Sequence, residues 1–181
     1  DVRSPSNPSL IGSYDTTGSA LGVALSTDGQ TAFVADADSG LQIIDVSNPS
    51  SPSLIGTYNT PDWAIRVVVS EQIAYVADLD NGGLQIIDVS TPSNPSLIAS
   101  YDTTKANDVT LSANGDTAFV ADGTSGLRII DVSTPSNPTL ISTYDTSGTA
   151  YDVNISADEK TAYVADWTEG LQIINVGSSS F

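Results

Sequence analysis

Two short runs, DADSG at 36–40 and DLDNGG at 78–83, set carboxylates two residues apart in glycine-closed turns. That spacing matches the opening of a calcium loop, where carboxylate and carbonyl oxygens surround a hard cation. It makes Asp36, Asp38, Asp78 and Asp80 candidate metal ligands. The match is partial: Gly40 and Gly82 stand where a further oxygen ligand would sit, and no Glu closes the loop. The runs DGTSG at 122–126 and DWTEG at 166–170 lack the second Asp. Because Asp36, Asp78, Asp122 and Asp166 recur, the competing reading is a side chain that bonds backbone amides of its own turn.

A second constellation lies where related segments stop agreeing. Two residues after Ala20, Ala64, Ala106 and Ala150 come Gly22, Arg66, Asp108 and Asp152. Residues two apart share a strand face, so Arg66 is expected to reach Asp108 and Asp152, with Gly22 leaving room. Such a cluster is a structural plug that avoids a repulsive ring of carboxylates, or an axial ion or ligand site. Trp63 and Trp167 break the repetition too. With Tyr151 they could form an aromatic platform for a sugar ring or peptide, beside Lys105, the nearest base; the plainer role is to cover the end of a core.

Several chemistries are excluded. The chain has no histidine and no cysteine, which removes Ser-His-Asp and Cys-His nucleophile systems and every His-ligated metal site. A glycosidase working with two Asp carboxylates needs neither and stays open. Twenty-two acidic residues against five basic ones give a net charge of −17. Such a surface repels phosphate backbones and favours cations or basic proteins as partners, so nucleic acid is not expected. No apolar run approaches the length of a membrane span. The chain starts at Asp1 and has no methionine, which suggests a processed product or an excised domain.

The elements that must position these residues come from repetition. GLQIIDV at 40–46 recurs at 83–89, as GLRIIDV at 126–132 and as GLQIINV at 170–176. AFVAD at 32–36 returns at 118–122, and as AYVAD at 74–78 and 162–166. The period, about 43 residues, fits a four-stranded propeller blade or a two-helix repeat. Runs rich in Val, Ile, Tyr and Thr between Gly, Pro, Asn, Asp and Ser clusters decide for strands. Pro49 and Pro52 would break a helix. Adjacent apolar pairs such as Ile43 and Ile44 point to opposite faces, so both faces of each sheet must be covered, as in stacked blades. The expectation is an all-β chain, a small β-propeller of four blades of four strands, forming one domain over 1–181 with flexible ends at 1–6 and 177–181. The chain opens on an outer strand at 8–16 and ends without one, so that strand is expected to pair with the C-terminal blade and close the ring.

The repeated segments, LQIID above all, resemble those of the LVIVD-repeat family over 6–176. The resemblance implies a β-propeller, a secreted or cell-surface setting, and no particular activity. Hairpin alternation gathers Asp15, Asp36, Asp38, Asp62, Asp78, Asp80, Asp102, Asp122, Asp145, Asp166 and Glu169 at one end of the blades. The leading expectation is a non-catalytic extracellular module whose acidic loop face binds a protein. The alternatives are a carbohydrate-binding propeller, with or without calcium, and a glycosidase. The chain is expected to be a monomer, a strand-swapped dimer or a larger ring.

Overall fold

The structure, a computed structural model, describes residues 6–177. All but two of the residues expected to form flexible ends lie outside that range. The chain folds into four antiparallel sheets. Blade 1 holds β1 (Gly22–Leu25), β2 (Thr31–Ala35), β3 (Leu41–Asp45) and β4 (Ser53–Tyr58). Blade 2 holds β5 (Ala64–Ser70), β6 (Ile73–Asp78), β7 (Gly83–Asp88) and β8 (Ser96–Tyr101), with a one-turn helix α1 (Leu79–Gly82) between β6 and β7. Blade 3 holds β9 (Asp108–Leu111), β10 (Thr117–Ala121), β11 (Leu127–Asp131) and β12 (Thr139–Tyr144). Blade 4 has three strands, β13 (Ala150–Ile155), β14 (Thr161–Asp166) and β15 (Gly170–Asn175).

Both faces of each inner blade are covered, as the apolar pairs require. Phe33, Leu41 and Ile43 of blade 1 pack on Ala64, Val67, Val76 and Ile87 of blade 2. The same layer forms between Tyr75, Leu84, Ile86 of blade 2 and Val109, Val120, Ile130 of blade 3, and again between blades 3 and 4. Each blade thus offers a forward face to the next blade and a rear face to the one before. Backbone bridges reinforce each junction: Ala37 pairs with Ala64, Leu79 with Ala106, and Gly123 with Ala150.

The expected ring closure is not seen among the described residues. Segment 8–16 carries no strand and the last sheet stops at β15. Leu10 and Ile11 are exposed, and so are Leu171 and Ile173, so the two ends do not cover one another. A strand exists through its ladder partners, and segment 8–16 joins none of the four described sheets. Helix α1 was also not foreseen. The loop DLDNGG is one residue longer than DADSG, and the extra residue is taken up as a helical turn with Leu79 at φ 22°.

Candidate functional site: the acidic loop rim and the axial charge cluster

The loops that precede each inner strand meet the loops that join second and third strands. Buried aspartates make the joint. Asp36 accepts the Thr16 hydroxyl at 2.6 Å and the Gly18 amide at 2.8 Å. Asp78 accepts the Asp62 amide at 3.0 Å and bonds Thr60. Asp122 accepts the Lys105 amide and is paired with the Arg128 guanidinium. Asp166 lies against Gly148, with neither carboxylate oxygen hydrogen-bonded among the described residues. All four are fully buried. Asp36, Asp78 and Asp122 are clamps between two loops, bonding amides 16 to 18 residues earlier in the chain and not those of their own turn, as recurrence in every copy had suggested.

The remaining acids form a rim. Asp15, Asp38, Asp80, Asp102, Asp145 and Glu169 are exposed, and Asp62 is half-buried. Asp38 and Asp80, the second acids of the two candidate calcium runs, belong to this rim, whereas Asp36 and Asp78 belong to the clamps. In DLDNGG the Asp78 side chain lies over Gly82, and Asp80 faces Lys105 at 3.8 Å. No group of three or more carboxylates among the described residues is placed to share an ion. Asp78 and Asp62, joined by a hydrogen bond, shift in opposite directions. Burial pushes the Asp78 carboxyl up, with the neighbouring Asp62 charge adding to it. The Trp63 amide, helped by Asn81, holds Asp62 below the usual carboxylate range.

The opposite end of the blades uses Asp in another way. Asp45, Asp88 and Asp131 each accept the amide two residues on, from Ser47, Ser90 and Ser133. These serines hold all three below the usual carboxylate range. Asn175 makes the same bond to Gly177 at 3.1 Å; the turn needs an acceptor and not a charge.

Near the axis, Arg66 Nε lies 3.2 Å from Asp108 and its Nη2 3.4 Å from Asp152. Gly22 is where the cluster needs space: a Cβ there would stand 3.0 Å from the Arg66 Cα and 3.3 Å from its Cδ. Asp108 also accepts the Val153 amide at 2.9 Å. Its carboxyl is pushed up by burial first and by the Asp152 charge second, against the pull of the Val153 amide and Arg66. With its oxygens engaged and almost no exposed surface, Asp108 does not offer a glycosidase acid to solvent.

A stability effect follows. Asp108 titrates higher folded than unfolded, so its contribution is complete below the unfolded carboxylate range and is lost as pH rises through the folded value. Removing Arg66 raises that value further. The Arg66→Met variant is expected to lose about 1–2 kcal/mol at neutral pH, discounted because the guanidinium is partly solvated, and to regain it in acid. Urea unfolding at pH 7 and pH 3 reads the difference.

Of the aromatic candidates, the structure brings together Tyr151 and Trp167, edge to face with ring centroids 6.0 Å apart. Trp63 is not in a ring pair among the described residues; its amide donates to the Asp62 carboxylate. Trp63, Trp167 and Tyr151 are all exposed. Sequence reasoning placed Trp63 and Trp167 in the loops, and Tyr151, which lies on β13, near the axis, but could not tell which two would touch. It also missed the Asp122–Arg128 pair, whose signal was Arg128 standing where the other copies carry Gln.

Comparison with known proteins bears on the fold. No curated protein matches the chain in sequence. Among solved structures, the computationally designed Ika4 protein matches at 11% identity and TM-score 0.71, over 94% of this chain and 99% of that one. Kuenenia stuttgartiensis hydrazine synthase matches at 19% identity and TM-score 0.70, over 93% of this chain and 50% of that one. The Myceliophteria thermophila Cps50 (Swd1) β-propeller domain matches at 13% identity and TM-score 0.71, over 87% and 54%. The chain thus spans about half the length of the last two. The LVIVD repeat model matches residues 1–16, 17–60, 63–103, 105–146 and 147–180, so a fifth, partial repeat precedes blade 1, and with a repeat fold of propeller type and matches along its whole length the chain belongs to the LVIVD repeat family.

Proposed function

We propose that the protein is a non-catalytic binding module whose acidic loop rim takes a basic segment of a partner protein, outside the cell or at its surface. The observation that carries this is the division of the loop acids. Buried Asp36, Asp78 and Asp122 tie neighbouring loops together, and all the rim acids but half-buried Asp62 stand exposed, with Lys105 their one close counter-charge among the described residues. A fixed array of like charges is poorly neutralised from within and is complementary to a cationic surface. The extracellular setting rests on the family resemblance.

A lysine- and arginine-rich peptide titrated calorimetrically is expected to bind at low salt and weaken steeply as ionic strength rises. Replacing Asp15, Asp38, Asp80, Asp102 and Asp145 together by Asn is expected to lower affinity roughly tenfold or more. An unchanged affinity in that variant would refute the rim. The edge-to-face pair of Tyr151 and Trp167 supports a second reading, a glycan platform. That reading requires sugar-dependent quenching of tryptophan fluorescence, lost in Trp167→Ala.

A further inference from the structure

The two ends of the blade array are halves of the junction that the chain builds three times internally. On the forward face, Leu41, Leu84 and Leu127 are all 0% exposed, whereas Leu171 at the same position of blade 4 is 62% exposed. Ile43 and Ile86 are 0% exposed and Ile173 is 65%. On the rear face, Val67, Val109 and Val153 are 1–3% exposed, and Val23 of blade 1 is 68%. What blade 4 presents forward is what blades 1, 2 and 3 seat on the next rear face. What blade 1 presents rearward is what the other blades offer to receive it.

Segment 8–16 already stands where the outer strand of a preceding blade would stand. Thr16 and Gly18 bond Asp36, as residues 60–62 bond Asp78. A Cβ on Gly12 would meet the Pro49 carbonyl oxygen at 2.2 Å, and one on Gly56 of β4 would meet that of Pro92 at 2.3 Å. The strand that would complete a sheet with this segment is a β15, and β15 has no outer neighbour among the described residues. Blade 4 is unfinished at one further point. Trp167 occupies the position at which Ala37, Leu79 and Gly123 bridge to Ala64, Ala106 and Ala150; the corresponding residue on blade 1 is Ala20. Beside it, Asp166 is buried without a hydrogen-bond partner among the described residues.

We propose that the 181-residue chain assembles head to tail, the forward face of blade 4 in one copy seating on the rear face of blade 1 in a second copy. Segment 8–16 becomes the fourth strand of the other copy's last sheet. Its register follows the internal pairs Gln42–Thr57, Gln85–Ser100 and Arg128–Thr143, which puts Ser13 opposite Gln172. Such a contact is heterologous and closes only if the rotation returns on itself. The chain matches 54% of the length of one β-propeller domain, and a ring of two copies would have two identical junctions and no free edge. The inference is independent of the rim proposal, since the junction faces lie between blades and not on the loops.

Sedimentation velocity of the 181-residue chain is expected to show one species of twice the 18.7 kDa chain mass. Ile173→Asp and Val23→Asp change only exposed positions and are each expected to give monomer; mixed, they pair again through one intact junction. The chain has no cysteine, so a Ser13→Cys, Gln172→Cys double variant reports the partner directly. After oxidation, a covalent dimer on a non-reducing gel supports the assembly. A crosslink within one chain at monomer mass overturns it in favour of self-closure. Wild-type chain that stays monomeric at every concentration, or grows into heavier polymers, overturns the two-copy ring.

Discussion

Replacing Asp122 by Ala is expected to lower the free energy of unfolding by about 3 kcal/mol or more, the range for leaving one partner of a buried ion pair without the other. Asp122 is fully buried, while Arg128 keeps 21% of its side chain in solvent, which sets the lower end of that range. The substitution also strips the acceptor from the Lys105 amide and so unties loop 102–106 from loop 122–126. Asp122→Asn keeps an acceptor for that amide but not the charge, and is expected to fall between the wild type and the alanine variant. Urea denaturation of the three proteins gives the order. A cost below about 1 kcal/mol for alanine would mean that the clamps do not hold the rim.

The second large effect separates interior from end positions at constant chemistry. Leu84 and Leu171 occupy the same place in β7 and β15, yet the first is fully buried between blades 2 and 3 and the second is mostly exposed. Leu84→Ala removes a buried isobutyl group and opens a cavity, at about 2–5 kcal/mol. In a single copy, Leu171→Ala costs within about 0.5 kcal/mol, as surface substitutions do. If the ends are joined between copies, Leu171→Ala becomes costly in the assembly and its penalty grows with protein concentration. Thermal unfolding across a hundredfold concentration range shows which regime applies.

Much of this was legible in the sequence because repetition converts local patterns into spatial ones. The apolar pairs Ile43–Ile44 and Ile86–Ile87 required cover on two faces, and the sheets have it. Arg66 could be matched to Asp108 and Asp152 before any coordinates, since a broken repeat at a crowded axis leaves few partners for a guanidinium. The clamp aspartates were marked by recurrence in every copy, and Asp38 and Asp80 by its absence. Closure was not legible. The sequence shows that the ends of the array complement each other, but whether they meet depends on the angle between successive blades, which no residue pattern encodes. Helix α1 was missed because one inserted residue can become a bulge, a wider loop or a turn; in the turn that forms, the Asp78 side chain lies where a side chain on Gly82 would stand. The Tyr151–Trp167 contact was equally hidden, since an exposed loop tryptophan beside a strand tyrosine has many orientations open to it.

The rim claim is tested most directly by backbone amide NMR of the isotopically labelled protein as a lysine- and arginine-rich peptide is added at low salt. The shifts are expected to concentrate in 15–18, 36–40, 59–63, 79–82, 102–106, 122–126, 145–149 and 167–169, and to vanish as salt is raised. Shifts centred on the Ser-Pro-Asn connections at the opposite end, or none at saturating peptide, would contradict it.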